Sequence, residues 1–236
     1  MERRKKYEVR MHFIMAVCGG FFGGYAIFGR MAVFGSAQTA NLIELMGDIL
    51  GRNAGEALLR ILALAIYVGA MIIFSILAKK TAVNLRYLAI LLEMLTAALI
   101  GFFPKEMNPI VALYPVFFAT SFQWCVFKGA DGYACSTIFS TNNVKQTVLS
   151  FTDYFLTEKK KEKEREQDLK KGKFFGGTLL CFHAGVAIAY IALQLFGLRS
   201  AWACILLLMV GLWMTEMEEG VLRTWMAKIT RAVFPA

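Results

Sequence analysis

The feature that most limits what this chain can fold into is a series of apolar runs, each about as long as a lipid bilayer is thick, separated by short polar breaks. A helix of about 20 apolar residues crosses a hydrocarbon core of roughly 30 Å. Only helices and closed barrels satisfy every backbone polar group in lipid. A barrel would show segments of about ten residues with alternating polarity, whereas these runs are long and rich in Leu, Ile, Ala, Met and Gly. Composition agrees, with 58% hydrophobic and 18% charged residues among 236 and a mean hydropathy of +0.54. The expected fold class is an all-α polytopic membrane protein forming a single membrane domain over 1–236. Six transmembrane helices are placed near 11–33, 56–78, 87–103, 109–130, 174–196 and 200–215.

Lys and Arg set the orientation, because loops rich in them stay on the cytoplasmic side. With the N-terminus inside, nineteen of these cations fall in inner segments and five (Arg30, Arg52, Arg60, Lys105 and Arg199) in outer ones. Both termini are therefore expected in the cytoplasm, the tail being residues 216–236. The net charge of +9 follows from this bias and implies an anionic lipid surface rather than a nucleic-acid partner. The basic start before an apolar run raises a signal peptide. That run continues to Phe34 without a small-residue cleavage site, so it reads as the first span. Residues 158–173 mix both charge signs at helical spacing and read as a solvated cytoplasmic extension. Lys128 and Asp131, three apart, are expected on one helix face as a mutually neutralising pair.

The sequence carries no catalytic pattern. It has no phosphate loop and no nucleophile elbow, so no enzyme activity, cofactor or metal is expected. Cys18, Cys125, Cys135, Cys181 and Cys204 all lie in apolar stretches without a Cys-x-x-Cys pair and read as small buried fillers.

Residues 35–55 and 140–157 break the pattern, since each follows a span yet mixes hydroxyls and amides with apolar residues. One straight helix over 11–50 would reach about 60 Å, twice the core thickness. The chain must bend, near Gly29 or Gly35, and continue as an interfacial or re-entrant helix. The two segments also resemble each other. A shift of 105 positions aligns Ser36 with Thr141, Gln38 with Asn143, Asn41 with Gln146 and Asp48 with Asp153; a shift of 116 aligns Gly69 with Gly185. A duplication of 11–103 and 109–215, three spans each, would insert the second copy upside down, the inverted repeat of many transporters.

Gly19-Gly20-Phe21-Phe22-Gly23-Gly24-Tyr25, followed by Phe34-Gly35-Ser36-Ala37-Gln38-Thr39-Ala40-Asn41-Leu42, resembles the YoaK family of small bacterial membrane proteins. Thr39-Ala40-Asn41 is similar to that family's Thr-Gly-Asn element, with Ala in place of Gly. Ser140 to Gln146 resembles its second polar element. The resemblance implies a polytopic fold in the bacterial cytoplasmic (inner) membrane and assigns no activity.

An ionisable group within a span costs about 2.5–3.5 kcal/mol at its centre, which makes each one a functional hypothesis. Glu93 sits mid-span in the third run and suits proton coupling or a buried hydrogen bond; His183 in the fifth is similar. Arg30, beside the expected break, either snorkels or contacts an anion. Ser36, Gln38, Thr39, Asn41, Thr141, Asn142, Asn143 and Gln146 can donate and accept, which suits a neutral or zwitterionic polar solute and equally suits contacts between helices. Glycines four apart, at 19 and 23 and at 20 and 24, permit close helix packing. The expected function is transport or facilitation of a small polar solute, proton-coupled through Glu93. The alternative is a membrane scaffold recruiting a partner through its basic loop and tail. Homo-oligomerisation is compatible with either.

Overall fold

The computed structural model describes residues 2–30 and 38–220. Nearly all of it is helical. In chain order it comprises α1 (Glu2–Gly24), a π-helical turn (Tyr25–Gly29), α2 (Gln38–Leu50), α3 (Ala54–Lys80), α4 (Leu85–Ile100), α5 (Pro109–Ala112) and α6 (Tyr114–Val126). A two-stranded hairpin follows, β1 (Gly129–Ala130) and β2 (Tyr133–Ala134), then α7 (Thr141–Leu156), α8 (Glu162–Phe196), a 3₁₀ segment (Gly197–Trp202) and α9 (Ala203–Glu219).

Local sequence explains the boundaries. Asn53, Asn84 and Asn108 each accept from a backbone amide of the first turn of α3, α4 and α5, the expected role of an N-cap amide. Gly220 ends α9 with φ 58°, a conformation that favours glycine. The first helix closes in the π-helical turn at Tyr25–Gly29 and α2 starts at Gln38; the expected bend at Gly35 falls outside the described residues.

All six apolar runs carry helix. Three helical stretches are long and apolar enough to cross a membrane: Glu2–Gly29, Ala54–Lys80 and Glu162–Glu219, which takes in both α8 and α9. On their own α4, α6 and α9 have 16, 13 and 17 residues, below the roughly 20 of a full crossing. The outer surface is apolar, with Leu58, Ile72, Leu180, Ile191, Leu206 and Trp213 among its exposed residues. The charged run begins α8, with Glu162 to Lys171 largely exposed. The tail beyond Gly220 lies outside the described residues.

Packing follows a pattern that survives exchange of the two halves. α1 packs on α8 and α9, while α6 packs on α3 and α4; α2 lies on α3 as α7 lies on α8; α4 meets α9. Most of the apolar window of α1 is inside, 72% against 17% for α3. Small residues make this possible. A Cβ at Gly20 would overlap the Phe182 carbonyl, and one at Gly185 the Val17 carbonyl, so α1 and α8 touch backbone to backbone. The Gly20 and Gly24 spacing does face α8, since a Cβ on Gly24 would lie 3.2 Å from Val186. Gly19 instead meets the Thr137 backbone.

The structure corrects the Lys128 and Asp131 pairing. Asp131-Gly132 is a tight hairpin turn, both residues at positive φ (52° and 86°), as Asp-Gly turns between strands require. Off the helix, the Asp131 carboxylate reaches Lys170 at 2.7 Å and Lys5 at 4.0 Å. It thereby ties the starts of α1 and α8 together. Its hydrogen bond holds the Lys170 ammonium above the usual lysine range.

Candidate functional site

The two polar segments become two short helices on opposite halves of the bundle. α2 runs antiparallel to α3, anchored where Arg60 faces Glu44 at 2.5 Å and Asp48 at 2.7 Å. Asn41, seven residues before Asp48, therefore lies near the depth of Tyr67, seven residues after Arg60. α7 packs along α8, with Phe151 against Gly172 and Thr147 against Gly176. α2 leads into the start of α3, and α7 leads into the lysine-rich start of α8.

The eight amide and hydroxyl residues thus divide between two packing pairs. On α2, Asn41 is buried, Gln38 half-buried and Thr39 exposed. The side-chain polar atoms of Gln38 and Asn41 are enclosed without hydrogen-bond partners among the described residues. Ser36 lies outside the described residues. On α7, Asn143 is buried and Gln146 half-buried, while Thr141 and Asn142 are exposed. Asn143 is fully engaged: its Nδ2 donates to the carbonyls of Ser136 (2.9 Å) and Phe139 (3.0 Å), and its Oδ1 accepts from Cys135 Sγ at 3.2 Å.

Those bonds hold a buried non-helical stretch, residues 135–139, in which Thr137 and Ile138 are fully enclosed. Gln123 of α6 braces it, donating to Thr137 Oγ1 (3.0 Å) and to the Met15 carbonyl (2.8 Å). Irregular backbone is tolerated inside a membrane bundle where protein satisfies it; here Asn143 takes up two of its carbonyls, and Gln123 holds the Thr137 side chain. Asn143→Ala is accordingly expected to cost about 2–4 kcal/mol, because several buried groups lose partners at once. The exposed Asn142→Ala should leave the thermal midpoint unchanged. Equal midpoints for the two variants in thermal unfolding would refute the bracing role.

Glu93 has no exposed surface, and neither carboxyl oxygen has a hydrogen-bond partner among the described residues. It lies on α4 within interaction range of Cys18 on α1 and of Cys204 on α9, both free thiols. Both cysteines are fully buried. His183 faces out of the bundle, its Nδ1 2.9 Å from the Leu179 carbonyl one turn back. Arg30 is buried, and its guanidinium donates to the carbonyls of Pro104 (2.8 Å) and Phe103 (3.1 Å), closing the loop after α4 against the end of the first helix.

Two residues escaped the sequence reading. His12 is buried with both ring nitrogens unpartnered among the described residues, its ring 5.2 Å from that of Phe174. Gln123 is the other. A polar residue in an apolar run is the signal that would have found each, the same signal that singled out Glu93.

A helical bundle with an apolar outer surface, a buried irregular stretch and a fully enclosed carboxyl defines a membrane-type protein rather than a water-soluble domain. The chain belongs to the family described as "Protein of unknown function (DUF1275)", which matches residues 11–214. That match covers the stretch from the first apolar run to the last, and like the residue-level resemblance it supplies a family without an activity. Comparison with curated proteins and with solved structures gives no match.

Proposed function

We propose that this protein is a secondary carrier of a small polar solute, coupled to protons through Glu93. The observation that carries the reading is the complete burial of the Glu93 carboxyl with no hydrogen-bond partner among the described residues. A carboxyl so placed, at a cost of about 2.5–3.5 kcal/mol in lipid, is retained where it does work. Gln38 and Asn41 are the solute contacts, because their amides are enclosed and unpartnered among the described residues whereas those of Asn143 are occupied. Thr39 adds a hydroxyl on the same helix, whereas Thr141, Asn142 and Gln146 lie on α7 and Ser36 lies outside the described residues. Such groups recognise a neutral or zwitterionic solute.

The exchangeable packing of the two halves supports an inverted three-plus-three repeat. In this reading α4, α6 and α9 also cross the membrane, each completed by its flanking turn, and the lysine-rich end faces the cytoplasm of a bacterial cell. The protein acts as a carrier and not as an enzyme. Thermal unfolding of the purified chain against a panel of amino acids, polyols and sugars tests this. A bound solute at about 100 times its dissociation constant adds roughly 2.7 kcal/mol of stability. At least one panel member should therefore raise the midpoint, and Gln38→Ala with Asn41→Ala should abolish the rise. If a well-folded wild type responds to none, the reading gives way to the scaffold, with 158–173 and the tail as its docking elements.

A further inference from the structure

α1, α4 and α9 meet twice, first at Cys18, Glu93 and Cys204, and again at their lysine-rich ends. There the Arg86 guanidinium reaches Glu219 at 3.1 Å and Glu8 at 3.7 Å. The Tyr7 hydroxyl donates to Glu219 at 3.3 Å, Asn84 donates to the same carboxylate, and Arg4 approaches Glu8 at 3.5 Å. The side chains of Arg86, Glu8 and Glu219 are all a third exposed or less. One carboxylate at the end of α9 thus gathers donors from both other helices.

Helical periodicity aligns this network with Glu93. Arg86 and Glu93 are seven residues apart, two turns and about 10 Å along one face of α4. Tyr7 and Cys18, eleven apart, share a face of α1 in the same way, as do Cys204 and Thr215 on α9. Between the charged layer and the carboxyl lie Met11, Met15, Ile90 and Leu208, all fully buried. Gly211 faces them, its missing Cβ 3.6 Å from Ile90 and 3.8 Å from the Met15 sulfur. Methionines beside a glycine form a plug that can repack without breaking backbone.

We infer that the Arg86–Glu219–Glu8 network, with the apolar layer beneath it, is a gate that seals Glu93 from water at the lysine-rich end. The inference rests on the carrier reading for its purpose, but its geometry does not depend on which solute is carried. Opening requires α9 to part from α1 and α4, which breaks the contacts on Glu219 and Arg86 together with the more exposed Arg3–Glu218 pair at 3.7 Å. An open cleft of about 640 Å³, lined by Arg4, Arg86, Lys128 and Cys125, already leads to the network from outside.

The native cysteines report the gate. A charged, water-borne methanethiosulfonate is added to the full-length protein in detergent, and modification of each cysteine is followed by peptide mass spectrometry. In wild type, Cys125 in the cleft should react while Cys18 and Cys204 stay protected. In Arg86→Gln and in Glu219→Gln, Cys18 and Cys204 should react roughly tenfold faster or more, the change in open population expected when a charged hydrogen-bond pair is lost. Cys135, buried beside Asn143 and bonded to none of Arg86, Glu219 and Glu8, should keep its wild-type rate. Wild-type rates for Cys18 and Cys204 in both variants would overturn the gate. A parallel rise at Cys135 would overturn it too, since that reports general loosening. Because no solute enters this assay, its failure is distinct from failure of the solute to stabilise the protein.

Discussion

Gly20→Leu is expected to leave no folded protein, and Gly20→Ala or Gly185→Ala alone to lower stability severely. A Cβ on Gly20 would overlap the Phe182 carbonyl and lie 2.8 Å from its carbon; one on Gly185 would overlap the Val17 carbonyl and lie 2.9 Å from the Phe21 nitrogen. These obstacles are backbone and cannot swing aside as a side-chain end would. Overpacking a well-filled interior usually costs about 1–3 kcal/mol, and displacement of two helix backbones belongs at or above the top of that range. Native proteins hold only about 5–15 kcal/mol in total. Gly69→Ala in α3 is the control, because its Cβ would meet nothing within 4 Å. There the change should be neutral or favourable, since Ala is the better helix former by about 0.5–1 kcal/mol. Size-exclusion profiles and thermal midpoints of the four variants read the outcome. A midpoint for Gly20→Ala equal to that of Gly69→Ala would show that α1 and α8 do not touch as described.

Glu93→Gln is expected to separate fold from function. Gln keeps the shape of the side chain and removes only its capacity to ionise. The surroundings supply no charged partner that the change would strand among the described residues, so the variant should fold with a midpoint at or above that of wild type. Solute binding should lose its dependence on pH, and proton-coupled uptake into vesicles should disappear. Loss of the fold in Glu93→Gln would instead assign the carboxyl a structural hydrogen bond. His183→Gln, on the outward face of α8, should leave coupling intact.

Much of the architecture was legible because lipid imposes length. Each apolar run carries helix among the described residues, though three stretches alone among them are long and apolar enough to cross and the run 109–130 ends in the hairpin strand Gly129–Ala130; both semi-polar segments hold a separate short helix. The glycine spacing at 20 and 24 pointed to close packing, and the structure places α8 there. What stayed hidden was which way each residue faces. In water, polar residues mark the outside of a helix; in lipid both faces are apolar, so the sequence of α8 does not show that His183 points out while Phe182 is buried. For the same reason His12, in the first run, did not stand out as an enclosed group. Asp131-Gly132 was legible as a turn, yet the helical neighbours of Lys128 suggested continuation of the helix. The roles of Asn143 and Gln123 depend on the path of residues 135–139, which no periodicity encodes.

The central claim is that solute binding at Gln38 and Asn41 is coupled to proton exchange at Glu93, and weakly buffered protein with a pH indicator reports it directly. Adding the solute that most stabilises the purified chain should take up or release about one proton per bound solute in wild type and none in Glu93→Gln, with binding itself retained. Equal proton exchange in the two proteins, or none in either, would contradict coupling through Glu93.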